Sequence, residues 1–204
     1  MKKNILIIGP TSEIAKEYIN EISDKFNIHS ISRKKNFNSL IVNNIILDQT
    51  KNLDEKKLIK LINKIKFLYV IFFASDQIAS PNVIRKIKNI KIFNALCVNS
   101  IFPIKLTYFL IEKKMINKNV KFIYFSSRAG SITERGNLKH HKPLGNHVYR
   151  ASKALLNSFV KNVSFEFKKS NYIQMIGRAG RRGKDSEGHI IYCNVDWKSL
   201  MKSD

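Results

Sequence analysis

Cysteine is nearly absent from this chain. Cys97 and Cys193 lie far apart in 204 residues, and nothing in their surroundings has the spacing of a disulfide framework or a zinc site. A reducing, cytoplasmic setting is therefore expected. Long apolar runs are missing too: no stretch approaches the length of a membrane span. The basic start MKKNILIIGP holds an apolar run of only four residues before Gly-Pro, too short for a signal peptide. Internal repeats, low-complexity segments and obvious linkers are also lacking, so one domain with a substantial core is the simplest organisation.

Acidic residues are scarce, 15 against 37 basic ones, which leaves a net charge of +22. Such an excess raises the question of a polyanionic partner. The excess is nearly all lysine, 29 against 8 arginines, and Ile, Lys and Asn together make up 80 of the 204 residues. Those are the residues an AT-rich coding sequence overproduces, and the lysines are scattered along the whole chain. Compositional drift is the favoured reading, and nucleic acid the less favoured partner.

What is present is a regular alternation. NILII at 4–8 is a short apolar run of the kind a buried parallel strand requires, Gly9-Pro10-Thr11-Ser12 breaks it, and Glu13 to Ser23 carries apolar residues at helical spacing. Strand, tight turn and helix in that order aim backbone amides and a helix N-terminus at a phosphate. A second strand over 27–32 ends in Arg33-Lys34-Lys35, where a dinucleotide fold meets the adenosine ribose. Three cations without a carboxylate favour NADPH over NADH there; Arg33 is the stronger candidate, and Lys34 and Lys35 are equally well read as a lysine-rich turn. A third strand over 44–47 ends at Asp48, and a helix over 54–65 presents Leu58, Ile59, Leu61, Ile62 and Ile65 as its apolar stripe. FLYVIFFA at 67–74 is a central strand, and a helix over 91–114, interrupted by Pro103, carries Asn99. A fifth strand over 120–125 runs into Ser126-Ser127, at the strand end where open α/β sheets bind ligands. The polar loop 128–147 contains His140, His141 and His147, with no cysteine or carboxylate at metal spacing. The fold class expected is α/β, a Rossmann-like doubly wound parallel sheet with flanking helices.

The loop is followed by Tyr149-Arg150-Ala151-Ser152-Lys153, opening a long amphipathic helix. A tyrosine and a lysine four apart share one helix face, so the ammonium can sit beside the phenol. A free phenol titrates near 10, a nearby cation favours the phenolate, and such a tyrosine can hand a proton to a carbonyl. Chance alone supplies roughly one such spacing in a chain this rich in lysine.

The joint pattern is more specific than the pair. From Lys3 to about Tyr172 the chain resembles the short-chain dehydrogenase/reductases, and FSSRAGSI followed by NHVYRASKALLN is similar to their C-factor-like carbonyl reductase branch. The resemblance implies an NADP(H)-dependent oxidoreductase acting on a small carbonyl or alcohol, with NADP(H) favoured over NAD(H), in a family that often forms homodimers. It places Tyr149 as proton donor, Lys153 beside it and on the nicotinamide ribose, Ser127 on the substrate carbonyl and Asn99 on a proton-relay water. Gly9, Ser12 and Ile14 fall in the phosphate turn, Asp48 matches the residue that meets the adenine amino group, and Ala74 falls in the family's Asn-Asn-Ala-Gly motif. Glu13 and Ala15 stand where two turn glycines are usual, and Phe72, Phe73 and Ser75 replace the rest of that motif.

The tail departs from this. YIQMIGRAGRRGKDSEGHIIYC resembles motif VI of superfamily 2 helicases, in which the matching Gln174, Arg178 and Arg181 would reach nucleotide phosphates. Motif VI works opposite a P-loop and a DExH carboxylate, and no such pair is found in the sequence, so the alternative function is a catalytically impaired nucleotide-binding module, or a chimeric chain, whose tail contacts nucleic-acid or nucleotide phosphates. Two organisations follow for residues 173–204, beyond a dinucleotide-binding unit of residues 1–172. In one, the C-terminal part of the family pattern is truncated or replaced by a foreign segment; in the other, Tyr172–Ile176 and 190–195 serve as the last strands.

Overall fold

The computed structural model describes residues 2–36, 38–75, 87–127, 130–131, 147–166, 172–177 and 190–193, the last two segments as backbone. Among the described residues, seven strands form one sheet in the order β3-β2-β1-β4-β5-β6-β7. They are β1 Lys3–Ile8, β2 Phe26–Ser32, β3 Ile41–Ile46, β4 Phe67–Phe72, β5 Ile116–Ser126, β6 Tyr172–Gly177 and β7 Ile190–Cys193. All neighbours pair in parallel except β6 and β7, which are antiparallel. The helices are α1 Glu13–Ile22, α2 Glu55–Ile62, α3 Asn89–Leu96, α4 Phe102–Glu112 and α5 His147–Glu166, with a π-helical turn Cys97–Ile101 joining α3 to α4.

The strand alternation divides the apolar residues between two cores. Ile5 and Ile7 of β1, with Ile28, Ile71 and Ile123, pack under Ala15, Ile19 and Ile22 of α1. Leu6 and Ile8, with Ile31, Ile45, Val70, Phe72, Phe122 and Tyr124, pack under residues of α2, α4 and α5. Side chains that alternate across a strand can feed both cores only if helices cover both faces, which is the doubly wound α/β architecture. In α2 only Leu58 and Ile62 are buried, while Ile59 and Leu61 are exposed. The stripe is thus one i, i+4 row, narrower than the sequence suggests.

Two expectations are corrected by the geometry. The helical stretch from Asn89 to Glu112 is long and apolar enough, by length and composition, to cross a membrane. It is largely buried against α5 and the sheet, as a core helix. Its irregularity also lies upstream of Pro103. Phe102 donates its amide to Cys97 O, one residue beyond the α-helical partner, and Pro103 then has no amide to give the preceding turn.

β6 continues the sheet beside β5, with Ile123 opposite Gln174 and Ser126 opposite Gly177. Tyr172–Gly177 thus takes the sixth-strand place, with Gln174 at a ladder position facing Tyr192 of β7 on the other side. Arg178, Arg181, His140 and His141 lie outside the described residues.

One buried group makes the fold sensitive to acid. His29 of β2 is buried edge-on against Phe67, its Nδ1 is enclosed without a hydrogen-bond partner among the described residues, and its Nε2 lies 3.4 Å from Asn4 Oδ1. Burial pushes its pKa below the usual histidine value. The unfolded chain therefore takes up a proton near pH 6.5 that the folded one refuses. The stability that neutral His29 confers is complete above that pH and is lost as pH falls below it, with a slope of at most about 1.4 kcal/mol per pH unit. Urea midpoints measured between pH 7.5 and 5.5 are expected to fall less steeply in His29→Leu than in wild type; parallel slopes would assign the acid sensitivity elsewhere.

Candidate functional site

A cleft of about 460 Å³ opens at the C-terminal ends of the central strands. The walls come from the segments that follow the strands: Gly9, Thr11 and Ser12 after β1, Arg33 after β2, Gln49 after β3, and Phe73, Ala74 and Ser75 after β4. Phe125 and Ser126 at the end of β5 add to it, with Ile14 of α1, Val98 of the π turn, and Tyr149 and Lys153 of α5.

The β1–α1 turn is held by its backbone. Gly9 has φ +81° and donates its amide to Ile31 O at 3.0 Å. Ser12, extended at φ −69° and ψ 151°, caps α1 by accepting from Ala15 N at 3.2 Å. Lys16 N goes to Ser12 O, which leaves the amides of Glu13 and Ile14 without an acceptor inside the helix. Ala15 is fully buried against the sheet, a small residue where α1 approaches β1. At the end of β4, Phe73 N and Ala74 N both donate to Ile8 O, at 2.9 and 3.0 Å, and Phe73 stacks on Phe125 with ring centroids 4.4 Å apart. Backbone pairing and ring stacking thus fix the segment in which Phe73 and Ser75 stand in place of the polar motif residues.

On the far wall, Tyr149 and Lys153 share one face of α5, with Lys153 Nζ 5.7 Å from the centre of the Tyr149 ring. The lysine is 2% exposed and donates to Phe125 O at 2.8 Å. A buried ammonium needs such acceptors to remain charged.

Asn99 does not line the cleft. It sits in the π turn, buried, and its Nδ2 donates to Ser152 Oγ at 2.9 Å; Ser152 Oγ in turn donates to Tyr149 O at 2.7 Å. Ser100 Oγ donates to Ser152 O at 2.5 Å. Three side chains therefore lock the first turn of α5 onto the π turn, and the position of Tyr149 follows. Ser127, next in chain to the lining residue Ser126, is half-buried and does not itself line the cleft. Its carbonyl accepts from Gly130 N at 2.9 Å, closing a turn that rests on α5: a Cβ on Gly130 would lie 2.8 Å from Lys153 C. Ser126 Oγ donates to Asn157 Oδ1.

Of the residues singled out for the adenosine end, Arg33 lines the cleft and is exposed. Asp48 is turned outward: its Oδ1 accepts from Thr50 N at 3.0 Å and Thr50 Oγ1 at 2.7 Å, bonds that hold its carboxyl below the usual range. His147 is half-buried at the start of α5, and no cluster of metal-ligating side chains occurs among the described residues. Cys97 is buried in the π turn, where burial pushes its thiol pKa up against a smaller opposing pull from Lys105.

Residues the sequence pattern did not single out are Ser152, Ser100, Gln49, Gly130 and Asn157. The one local signal for Ser152 is a polar side chain three residues after Tyr149, on a face that α5 must bury. The partners of the others are too distant in the chain to be read.

No family model matches the sequence, and no curated protein matches it. The fold has many solved relatives. A short-chain dehydrogenase family protein from Francisella tularensis superposes with TM-score 0.68 at 19% identity over 83% of this chain, which spans 65% of that protein's length. A carbonyl reductase from Pseudomonas aeruginosa in complex with NADP gives TM-score 0.72 at 16% identity, covering 88% of this chain and 84% of that one. An oxidoreductase of the short-chain dehydrogenase/reductase family from Brucella ovis, with a partially ordered NAD, gives 0.68 at 17% identity over the same shares. At these identities the likeness establishes the Rossmann-like fold.

Proposed function

We propose that this chain is a nicotinamide-dinucleotide-dependent oxidoreductase of the short-chain dehydrogenase/reductase type, reducing a small carbonyl compound or oxidising the corresponding alcohol. The observation that carries this reading is the meeting, across one cleft, of a phosphate-binding turn on β1–α1 with the Tyr149–Lys153 face of α5. Solved proteins of the same fold hold NADP or NAD, which supports the choice of ligand.

The cleft residues fit such a group. The unpaired amides at the start of α1 suit a pyrophosphate, with Gly9 and Ser12 shaping the turn and Ile14 and Ala74 flanking it. Arg33, in a position without a carboxylate, favours a 2′-phosphate and therefore NADP(H). When bound, the reduced nicotinamide supplies a hydride to the carbonyl carbon. The chain supplies the proton: the Tyr149 hydroxyl gives it to the carbonyl oxygen, Lys153 stabilises the phenolate left behind, and solvent restores the proton. Ser127, one residue past the lining Ser126, is the candidate to orient the carbonyl oxygen, and Asn99 acts by holding Ser152 and with it the turn of α5 that carries Tyr149.

Titration of the purified protein with NADPH and NADH, followed by nicotinamide fluorescence and thermal stability, tests the proposal. Binding with a raised melting temperature, stronger for NADPH, is expected. A folded protein that binds neither would exclude the oxidoreductase reading.

A further inference from the structure

The chain past β3 alternates as an extended strand does: Leu47 is buried, Asp48 exposed and Gln49 buried, with 4% of its surface left. The turn that follows is closed by Asp48, whose carboxylate holds Thr50 and whose carbonyl accepts from Lys51 N at 3.1 Å. Asp48 is thereby fixed on the outside and Gln49 on the inside. Among the described residues the Gln49 carboxamide has no hydrogen-bond partner, yet its polar atoms are not sealed off, as His29 Nδ1 is. It therefore opens onto the space that it lines.

Gln49 lines the dinucleotide cleft, where it stands beyond Arg33 in the strand order. Its other side bounds a second cleft of about 530 Å³ under Leu53, Phe93 and Cys97. With the pyrophosphate at the β1 turn and the adenosine ribose at the end of β2, the same cleft continues one strand further out to Gln49, which leaves that side for the base. Val98 adds apolar surface for a flat ring to the same cleft. A carboxamide carries an acceptor and a donor side by side. Adenine presents the complement, an exocyclic N–H donor flanking the ring nitrogen N1 as acceptor.

We infer that Gln49 reads the adenine edge of the bound dinucleotide, accepting from the exocyclic amine through Oε1 and donating to N1 through Nε2. The residue that matches a base-contacting carboxylate, Asp48, is occupied by its own turn; the neighbouring carboxamide takes the base. This inference rests on the reading of the cleft as a nicotinamide dinucleotide site.

The test uses whichever of NADP⁺ or NAD⁺ binds more tightly, together with its 1,N6-etheno derivative, in which a bridge blocks both groups Gln49 would contact. Dissociation constants are taken from thermal shift and fluorescence titrations of wild type, Gln49→Leu and Gln49→Glu. Wild type is expected to prefer the natural dinucleotide by roughly tenfold, the effect of two hydrogen bonds. Leucine has nearly the volume of glutamine, so simple crowding by the etheno bridge persists in Gln49→Leu while the hydrogen-bond preference disappears. Gln49→Glu keeps an acceptor and loses the N–H donor, which places it between the two. Because leucine replaces a carboxamide without a partner, unliganded Gln49→Leu melts no lower than wild type, and lost binding is separable from lost fold. A preference retained in Gln49→Leu, or absent from wild type, overturns the assignment of Gln49 alone. Binding of neither natural dinucleotide to folded wild type overturns the dinucleotide reading, and this inference with it.

Discussion

Tyr149→Phe is expected to lower kcat by about 10²–10⁴-fold, the range over which a positioned acid contributes, while the dissociation constant for the cofactor stays that of wild type. The substitution removes one oxygen and little else. The Tyr149 ring is 8% exposed, so phenylalanine keeps its packing and its place 5.7 Å from Lys153 Nζ. Its backbone carbonyl still accepts from Ser152, so the lock between α5 and the π turn remains. In the proposed complex the cofactor's phosphates and adenosine ribose would be met from the β1 turn and Arg33, which line the other wall of the cleft. Loss of turnover with binding retained is therefore the signature of a proton donor. Single-turnover reduction of a reactive aldehyde, compared with equilibrium binding of NADPH, separates the two quantities. Turnover at the wild-type rate in Tyr149→Phe would remove the tyrosine from the chemistry, whatever the fate of binding.

The parts of this fold that the sequence discloses are those set by local pattern. NILII and FLYVIFF are continuous apolar runs because β1 and β4 are buried on both faces, and the break at Gly9 marks the tight turn after β1. Tyr149 and Lys153 are legible as a pair since one helix turn separates them. Features set by partners far along the chain are not. β5 begins at Ile116, four residues before its apolar run, because Ile116 pairs with Phe67 across a register shift although the intervening residues are exposed. The π turn has no signature of its own in CVNSI; the clue, Pro103, suggests a break at itself while its missing amide acts on the turn before. Asn99, which the resemblance places on a proton-relay water, donates to Ser152, a partner 53 positions away that the local sequence does not show. The inward placement of Gln49 depends on Asp48 turning out to hold Thr50, a choice made by turn geometry that single-residue propensities do not resolve.

Gly9→Ala is expected to destabilise the fold by about 2–4 kcal/mol and to abolish the thermal shift produced by the cofactor. Two independent costs combine. At φ +81° an L-residue is disfavoured by its own backbone, at about 1–2 kcal/mol. The added Cβ would also lie 2.7 Å from Ala74 N and 2.8 Å from Ala74 Cα, contacts with main chain that no rotamer change relieves. Movement at either side breaks something. Gly9 N is bonded to Ile31 O, and Ala74 N and Phe73 N to Ile8 O, so separating the turns strains the ends of β1, β2 and β4 together. Those three strand ends carry the phosphate turn, Arg33 and Ala74, and binding is lost through the same displacement that costs stability. Urea denaturation of wild type and variant measures the first effect, and melting with and without NADPH measures the second. If Gly9→Ala unfolds at the wild-type midpoint and keeps its cofactor shift, the turn has room that this backbone geometry denies it.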